Sequence, residues 1–206
     1  KVFATRLPGW EKQVIIVDDA SQDGTREILR EYENRATVLF QERNQGKGSA
    51  VKCGLRSATG DYVLIQDADL EYDPADIPAL LSAIESGNAD VVYGSRTLDP
   101  RAHHGGFIPR TGVWFITKLI NMFYGLSLTD VWTCYKLFPR ESGNDFVAGR
   151  FESELLFTAA LARRGYRLAE VPISYAPREI SEGKKIRYRD GVYAIMVICA
   201  DRIRHL

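Results

Sequence analysis

Histidine, cysteine and net charge are what this chain has least of, and each shortage removes a class of function. The three histidines, two of them adjacent at His103 and His104, are too few and too badly spaced for a histidine-based metal site. The adjacent pair lies in a Gly-rich loop and reads as solvated. Cys53, Cys134 and Cys199 are an odd number at wide spacing, which fits neither a zinc pattern nor a disulfide framework. A reducing compartment is expected, with each thiol a small apolar filler rather than a nucleophile. Lys and Arg total 27 against 27 for Asp and Glu, so net charge argues for neither nucleic acid nor an acidic partner. No signal peptide opens the chain, and no run approaches the roughly 20 apolar residues that span a bilayer. The apolar run from Val192 to Ala200 is too short to span, although it can lie on a membrane surface. The expected location is cytoplasmic, with a peripheral place at the cytoplasmic membrane face left open.

What remains is an ordinary soluble composition, 45% hydrophobic and 26% charged, in 206 residues. That length makes one large domain with a substantial core. Residues 13–17, 36–41, 62–66 and 90–93 read as strands, and three helical stretches separate them, 26–32, 47–58 and 74–86. This alternation predicts an α/β fold with a mainly parallel sheet and right-handed crossovers. From Gly94 the pattern changes. A polar loop leads to an aromatic helix over 111–124, then a strand at 133–138, a helix at 151–163, a strand at 166–171 and a last helix at 189–204. The expected division is a nucleotide-binding half over 10–96 and an acceptor-side half over 97–206. The aromatic helix, with Trp114, Phe115 and Phe123, is ordinary core packing or else a membrane or partner surface.

Charge is local rather than global. The apolar run Tyr62-Val-Leu-Ile65 ends in Asp67, Asp69, Glu71 and Asp73, and then in Pro74, which stops any ladder. In an extended chain Asp67 and Asp69 point to one side and can share a hard divalent cation. Taken alone, the pair reads as turn residues and a helix cap. The strand at 13–17 likewise ends in Asp18-Asp19. The carboxyl ends of parallel strands share one edge, so both clusters can line one crevice. Asp18 and Asp19 would then accept hydrogen bonds from a base or ribose while Asp67 and Asp69 hold metal. Gly46-Lys47-Gly48 at a helix start has the look of a phosphate cradle, but its spacing is not that of a Walker A loop. Arg96 follows a strand and a glycine at the same edge, and Arg110 stands in the next loop; both can grip phosphate or be simply solvated. Lys184 and Lys185 sit in a Gly-hinged loop that can close over a diphosphate or be a solvated charge run. Glu152 and Glu154 are ordinary helix-dipole partners unless a hydroxyl acceptor needs a base.

Several of these segments together carry a resemblance. Val17-Asp-Asp-Ala-Ser-Gln-Asp-Gly-Thr25, Asn44-Gln-Gly-Lys-Gly48, Gly60-Asp-Tyr-Val-Leu-Ile-Gln-Asp-Ala-Asp69 and Tyr93-Gly-Ser-Arg96 resemble the family 2 glycosyltransferases of GT-A fold. Thr133-Cys-Tyr-Lys-Leu-Phe138, Glu170-Val-Pro-Ile173 and Glu182-Gly-Lys-Lys-Ile186 are similar to the dolichyl-phosphate mannose synthase-like branch. The resemblance implies a Rossmann-like α/β/α sandwich in which Asp67 and Asp69 hold a metal-bound nucleoside diphosphate, with Glu71 as a third ligand. It also implies that Asp18 and Asp19 face the nucleoside, and that Arg96, Arg110, Lys184 and Lys185 face phosphates of donor or acceptor. The implied reaction is inverting transfer of a sugar from GDP-mannose or a UDP-sugar to a polyprenyl or dolichyl phosphate, with Mg2+ or Mn2+. The family's usual first strand and its Pro-x-Tyr-Asn-Glu-like loop have no counterpart before Trp10, so a sheet short of one strand is expected. A homo-oligomer is compatible with this reading.

Two other readings compete. A phosphoryl-receiver domain also shows an Asp-Asp pair after its first strand and a strand-end Asp about fifty residues later. This chain is far longer than a receiver's ~120 residues and has no matching Lys-Pro strand end. A catalytically inactive nucleotide-sugar-binding module is the other.

Overall fold

Short β-branched and aromatic runs, each closed by turn residues, form the strands. The computed structural model describes residues 1–98, 107–150, 152–177 and 188–205, the side chains of 107–110 and 188–190 excepted. Ile15–Asp18 (β1) pairs in parallel with Thr37–Phe40 (β2), Ile15 opposite Thr37 and Asp18 opposite Phe40. Thr25–Arg30 (α1) makes the crossover between them, and Lys47–Leu55 (α2) leads to Tyr62–Leu64 (β3). α2 lies close on β1, where a Cβ on Gly54 would sit 3.2 Å from Cγ2 of Val17. A 3-10 turn, Pro74–Asp76, precedes Ile77–Glu85 (α3), and Asp73 caps the turn by accepting from the Ala75 amide at 3.0 Å.

Val91–Ser95 (β4) is buried along its whole length. It runs parallel to Leu168–Pro172 (β6) and antiparallel to Lys136–Pro139 (β5), which also pairs antiparallel with β3. The order is β3-β5-β4-β6. β3, β4 and β6 therefore share one direction, and β5 runs against them from between β3 and β4. The mainly parallel sheet expected from the alternation is present, but nothing in the local pattern of 133–138 indicated a reversed strand at its centre.

The sheet has a core on each face because successive strand residues alternate sides. Val91 and Tyr93 pack with Phe138, Phe146 and Phe157 under Phe107–Tyr124 (α4), Glu152–Arg163 (α5) and Tyr188–Arg204 (α6). Val92 packs the other way, with Leu80, Tyr135 and Ile173. The Phe157 ring lies 4.7 Å from Phe138 and 5.0 Å from Phe146, centroid to centroid. Three layers result.

β1 and β2 form a separate two-stranded sheet. The outer edges of β1 and β3 line one cleft of roughly 3930 Å3, into which Ile15, Val17, Val63 and Ile65 all turn atoms. Among the described residues no helix is long and apolar enough to cross a membrane.

Candidate active site

Both acidic strand ends open on this cleft, and both are bent by the same device. Among the described residues only Ala20 and Leu70 are non-glycine residues of positive φ, each at 63°, one in each acidic turn. Left-handed backbone costs an ordinary residue about 1–2 kcal/mol, and such strain collects at functional sites.

The first turn is held by its own acids. Asp18 is buried and accepts from the Ser21 amide and, at 2.7 Å, from Nε of Arg26. Burial pushes its pKa up, but Ser21 and Arg26 outweigh this and hold the carboxyl below its ordinary value. Asp19 accepts from the Gln45 amide at 2.7 Å and the Gly46 amide at 2.8 Å. The amides just ahead of α2 thus hold a carboxylate of the protein itself. The glycines serve packing. A Cβ on Gly48 would lie 2.2 Å from Oγ of Ser153, and one on Gly46 would lie 3.0 Å from the Gly149 carbonyl oxygen.

Lys47, the first residue of α2, reaches inward instead. Its Nζ lies 2.7 Å from Oδ2 of Asp67, 2.8 Å from Sγ of Cys134 and 2.7 Å from Oε1 of Glu154. Cys134 donates its S–H to the same Asp67 oxygen at 2.6 Å. Lys136, wholly buried, holds the other Glu154 oxygen at 3.2 Å and lies over the Tyr93 ring. Burial works against the Lys47 ammonium, yet Glu154, Cys134 and Asp67 raise its pKa well above the ordinary value. Glu154 mirrors it: burial pushes the carboxyl up, and the two lysines bring it below its ordinary value. Both Glu154 oxygens are thus held by lysines, with the side chain enclosed. Glu152 accepts from the Arg150 amide at 3.1 Å. Burial pushes the Cys134 thiol up, and its bonds to Asp67 and Lys47 make it more than the filler expected of it.

Arg96 sits at the end of β4 as expected, and it already grips an anion. Its Nε and Nη2 meet the two oxygens of Asp130 at 2.7 and 2.8 Å, and Nη2 also donates to the Trp132 carbonyl. The guanidinium lies 5.2 Å from the Tyr175 ring centroid. Tyr175 donates to Oε2 of Glu71 at 3.1 Å, and burial pushes its hydroxyl pKa up to about 12.

Asp67, Asp69 and Glu71 all line the cleft, together with Asp19, Lys47 and Arg96. Asp69 accepts from the Glu71 amide at 3.1 Å. Among the described residues no three His, Cys, Asp or Glu side chains gather as a complete metal site. Two neighbouring carboxylates nevertheless fit a hard cation that completes its shell with water and phosphate oxygens. Lys184 and Lys185 lie outside the described residues, and of Arg110 only the backbone, near the start of α4, is described.

Asp130, Cys134, Trp132 and Tyr175 were not singled out as site residues from the sequence. Cys134 stands in the Thr133–Phe138 segment that carries the resemblance, but no residue there was given a role; Asp130, Trp132 and Tyr175 had no motif or period to mark them. The indole N–H of Trp132 is buried without a partner among the described residues, and the side chain lines the cleft.

Residues 4–145 match the family model described as glycosyl transferase family 2. The chain is 31% identical over 184 residues to the low-salt glycan biosynthesis hexosyltransferase of Haloferax volcanii, covering 86% of this chain and 43% of that protein. It is 30% identical over 180 residues to the undecaprenyl-phosphate 4-deoxy-4-formamido-L-arabinose transferase of Edwardsiella ictaluri, covering 85% of this chain and 54% of that one. The chain thus spans about half the length of the curated relatives it matches. Among solved structures it is similar to glucosyl-3-phosphoglycerate synthase from Mycobacterium tuberculosis in complex with Mn2+, uridine diphosphate and glucosyl-3-phosphoglycerate. There the TM-score is 0.66 at 21% identity, over 91% of this chain and 69% of that one. That likeness is one of fold, the GT-A arrangement expected from the sequence.

Proposed function

The chain belongs to glycosyl transferase family 2, and on that premise we propose that it moves a sugar from a nucleotide sugar to the phosphate of a polyprenyl lipid. The observation that carries this reading is the strained turn after β3, which brings Asp67 and Asp69 to the cleft that Asp19 and Arg96 also line. A divalent cation bound there would supply electrostatic stabilisation to the diphosphate leaving group. Asp67 and Asp69 are the residues to hold it, while Glu71 lines the same cleft and accepts from Tyr175. Lys47 and Arg96 line the same wall, each already paired with a carboxylate of the protein, where phosphates of donor and acceptor would lie.

A lipid phosphate has a second pKa of about 6 and is largely deprotonated at neutral pH. Such a nucleophile needs no general base, which agrees with a Glu154 closed off by two lysines. The relative named for undecaprenyl phosphate and the structural neighbour solved with Mn2+ and uridine diphosphate support the same acceptor and donor classes. So does the surface: Trp114, Phe115 and Met122 on α4 and Tyr193, Met196 and Ile203 on α6 are exposed, on two helices that pack together. An exposed apolar face beside a lipid-phosphate site suits peripheral contact with a bilayer.

The test is a panel of nucleotide sugars with Mn2+ or Mg2+, with and without polyprenyl phosphate, scored by nucleotide release. Asp67→Asn and Asp69→Asn should each lower metal-dependent transfer by about a hundredfold or more. Full transfer by either variant removes the metal role. Donor binding without any transfer would favour an inactive nucleotide-sugar-binding module.

A further inference from the structure

The Asp67 carboxylate is not waiting bare for a ligand. Both its contacts to Lys47 and Cys134 fall on one oxygen, Oδ2, at 2.7 and 2.6 Å. Lys47 is shared: its Nζ is as close to Glu154 as to Asp67, 2.7 Å in each case. Glu154 in turn is shared with Lys136. Two carboxylates and two ammoniums therefore form a closed, neutral chain from the interior to the cleft wall. Only its Asp67–Lys47 end is accessible, with those side chains 24% and 18% exposed against 2% for Glu154 and none for Lys136.

We propose that Lys47 is the resident counter-cation of Asp67, and that it makes metal binding depend on the diphosphate. The inference rests on the reading that Asp67 holds a cation. A dication arriving alone at Asp67 meets an ammonium already seated on that carboxylate, and the like charges repel in a partly buried site. A dication arriving with a nucleoside diphosphate brings negative charge that offsets the ammonium. The site then rejects free metal and accepts the metal–diphosphate complex, and by linkage each ligand tightens the other. Lys47 acts here through Asp67, as a positioning residue.

The experiment measures binding of Mn2+ by electron paramagnetic resonance, with and without UDP and, in parallel, GDP. Wild-type protein should bind Mn2+ weakly alone and more tightly with one of the nucleotides, by a factor on the order of 5 to 150. Lys47→Met should tighten binding of Mn2+ alone by about tenfold and shrink the nucleotide enhancement by a similar factor. Lys47→Arg should keep wild-type behaviour. Glu154→Gln should shift the opposite way, because Lys47 then spends its whole charge on Asp67; Mn2+ alone should bind more weakly. Mere structural damage weakens binding in both variants, so tighter Mn2+ binding in Lys47→Met separates the two causes. If Lys47→Met does not fold, Glu154→Gln carries the test through a nucleotide enhancement larger than wild type, which damage would not produce. If Asp67→Asn loses Mn2+ while Lys47→Met binds it no better than wild type, the counter-cation role is overturned and the metal site stands. If Asp67→Asn binds Mn2+ as wild type does, the reading of the site falls and this inference with it.

Discussion

Single residues in this chain are constrained by what lies 1 to 4 Å from them, and two glycines show how differently. At Gly48 an added methyl would lie 2.2 Å from Oγ of Ser153 and 2.9 Å from the Gly149 carbonyl oxygen, so α2 or the loop before α5 must move. Gly48→Ala should cost about 1–3 kcal/mol, as overpacking does, read from urea unfolding. At Gly24, φ is +85° but nothing lies within 4 Å, so Gly24→Ala should cost only the left-handed strain, about 1–2 kcal/mol. The greater predicted loss at Gly48 belongs with the inward reach of Lys47 next to it. Close packing of the start of α2 on Gly149, Arg150 and Ser153 goes with the reach of that ammonium to Glu154.

Between elements, charged pairs and apolar faces divide the labour. Asp130 ties the end of β4 to the loop after α4 by its two bonds to Arg96, while Glu170 on β6 accepts from the Thr129 and Asp130 amides at 2.7 and 2.9 Å. Asp130→Asn removes the charge facing a guanidinium that is only 18% exposed. Breaking a buried pair in this way costs about 3–5 kcal/mol, so a large fall in denaturation midpoint is expected, with loss of transfer following from a displaced Arg96. The paired helices α4 and α6 carry the opposite kind of surface. Trp114→Ser combined with Met196→Ser should weaken co-sedimentation with anionic lipid vesicles several-fold at an unchanged melting temperature, since both side chains are exposed, by 61% and 57%. Unchanged co-sedimentation would assign that face to something other than lipid.

At the scale of the whole molecule, acid should unfold this protein through its buried ion pairs. Asp130 and Glu154 are both held below their ordinary values of 3.8 and 4.5, against the effect of burial, by Arg96 and by the two lysines. A carboxylate whose folded pKa is depressed contributes stability that is complete above its unfolded pKa and lost as pH falls through the folded one. Glu170 has the reverse sign: burial raises its pKa, so its contribution is present at low pH and lost as pH rises past the folded value. With Asp18 held low by Ser21 and Arg26 in the same way, the depressed carboxylates outnumber Glu170 and set the direction. Melting temperature should hold down to about pH 5 and fall below pH 4.5, and Glu154→Gln should lower stability at pH 7 while flattening the acid limb. An acid limb equally steep in Glu154→Gln and wild type would place the titrating group elsewhere.

The local sequence was enough for the order of strands and helices and for where the acids stand. A short apolar run with a turn after it, or an apolar stripe at helical period, is written in neighbouring residues. Asp67 and Asp69 at the tip of β3, and Arg96 at the tip of β4, were legible on those terms. Tertiary structure alone decided the reversal of β5 and the use of Asp19 to satisfy the Gln45 and Gly46 amides just ahead of α2. It alone decided that Lys47 joins Asp67, Cys134 and Glu154, partners 20, 87 and 107 positions away. Contacts between residues that far apart are made by packing, which brings charges together without imposing any pattern on the residues beside them.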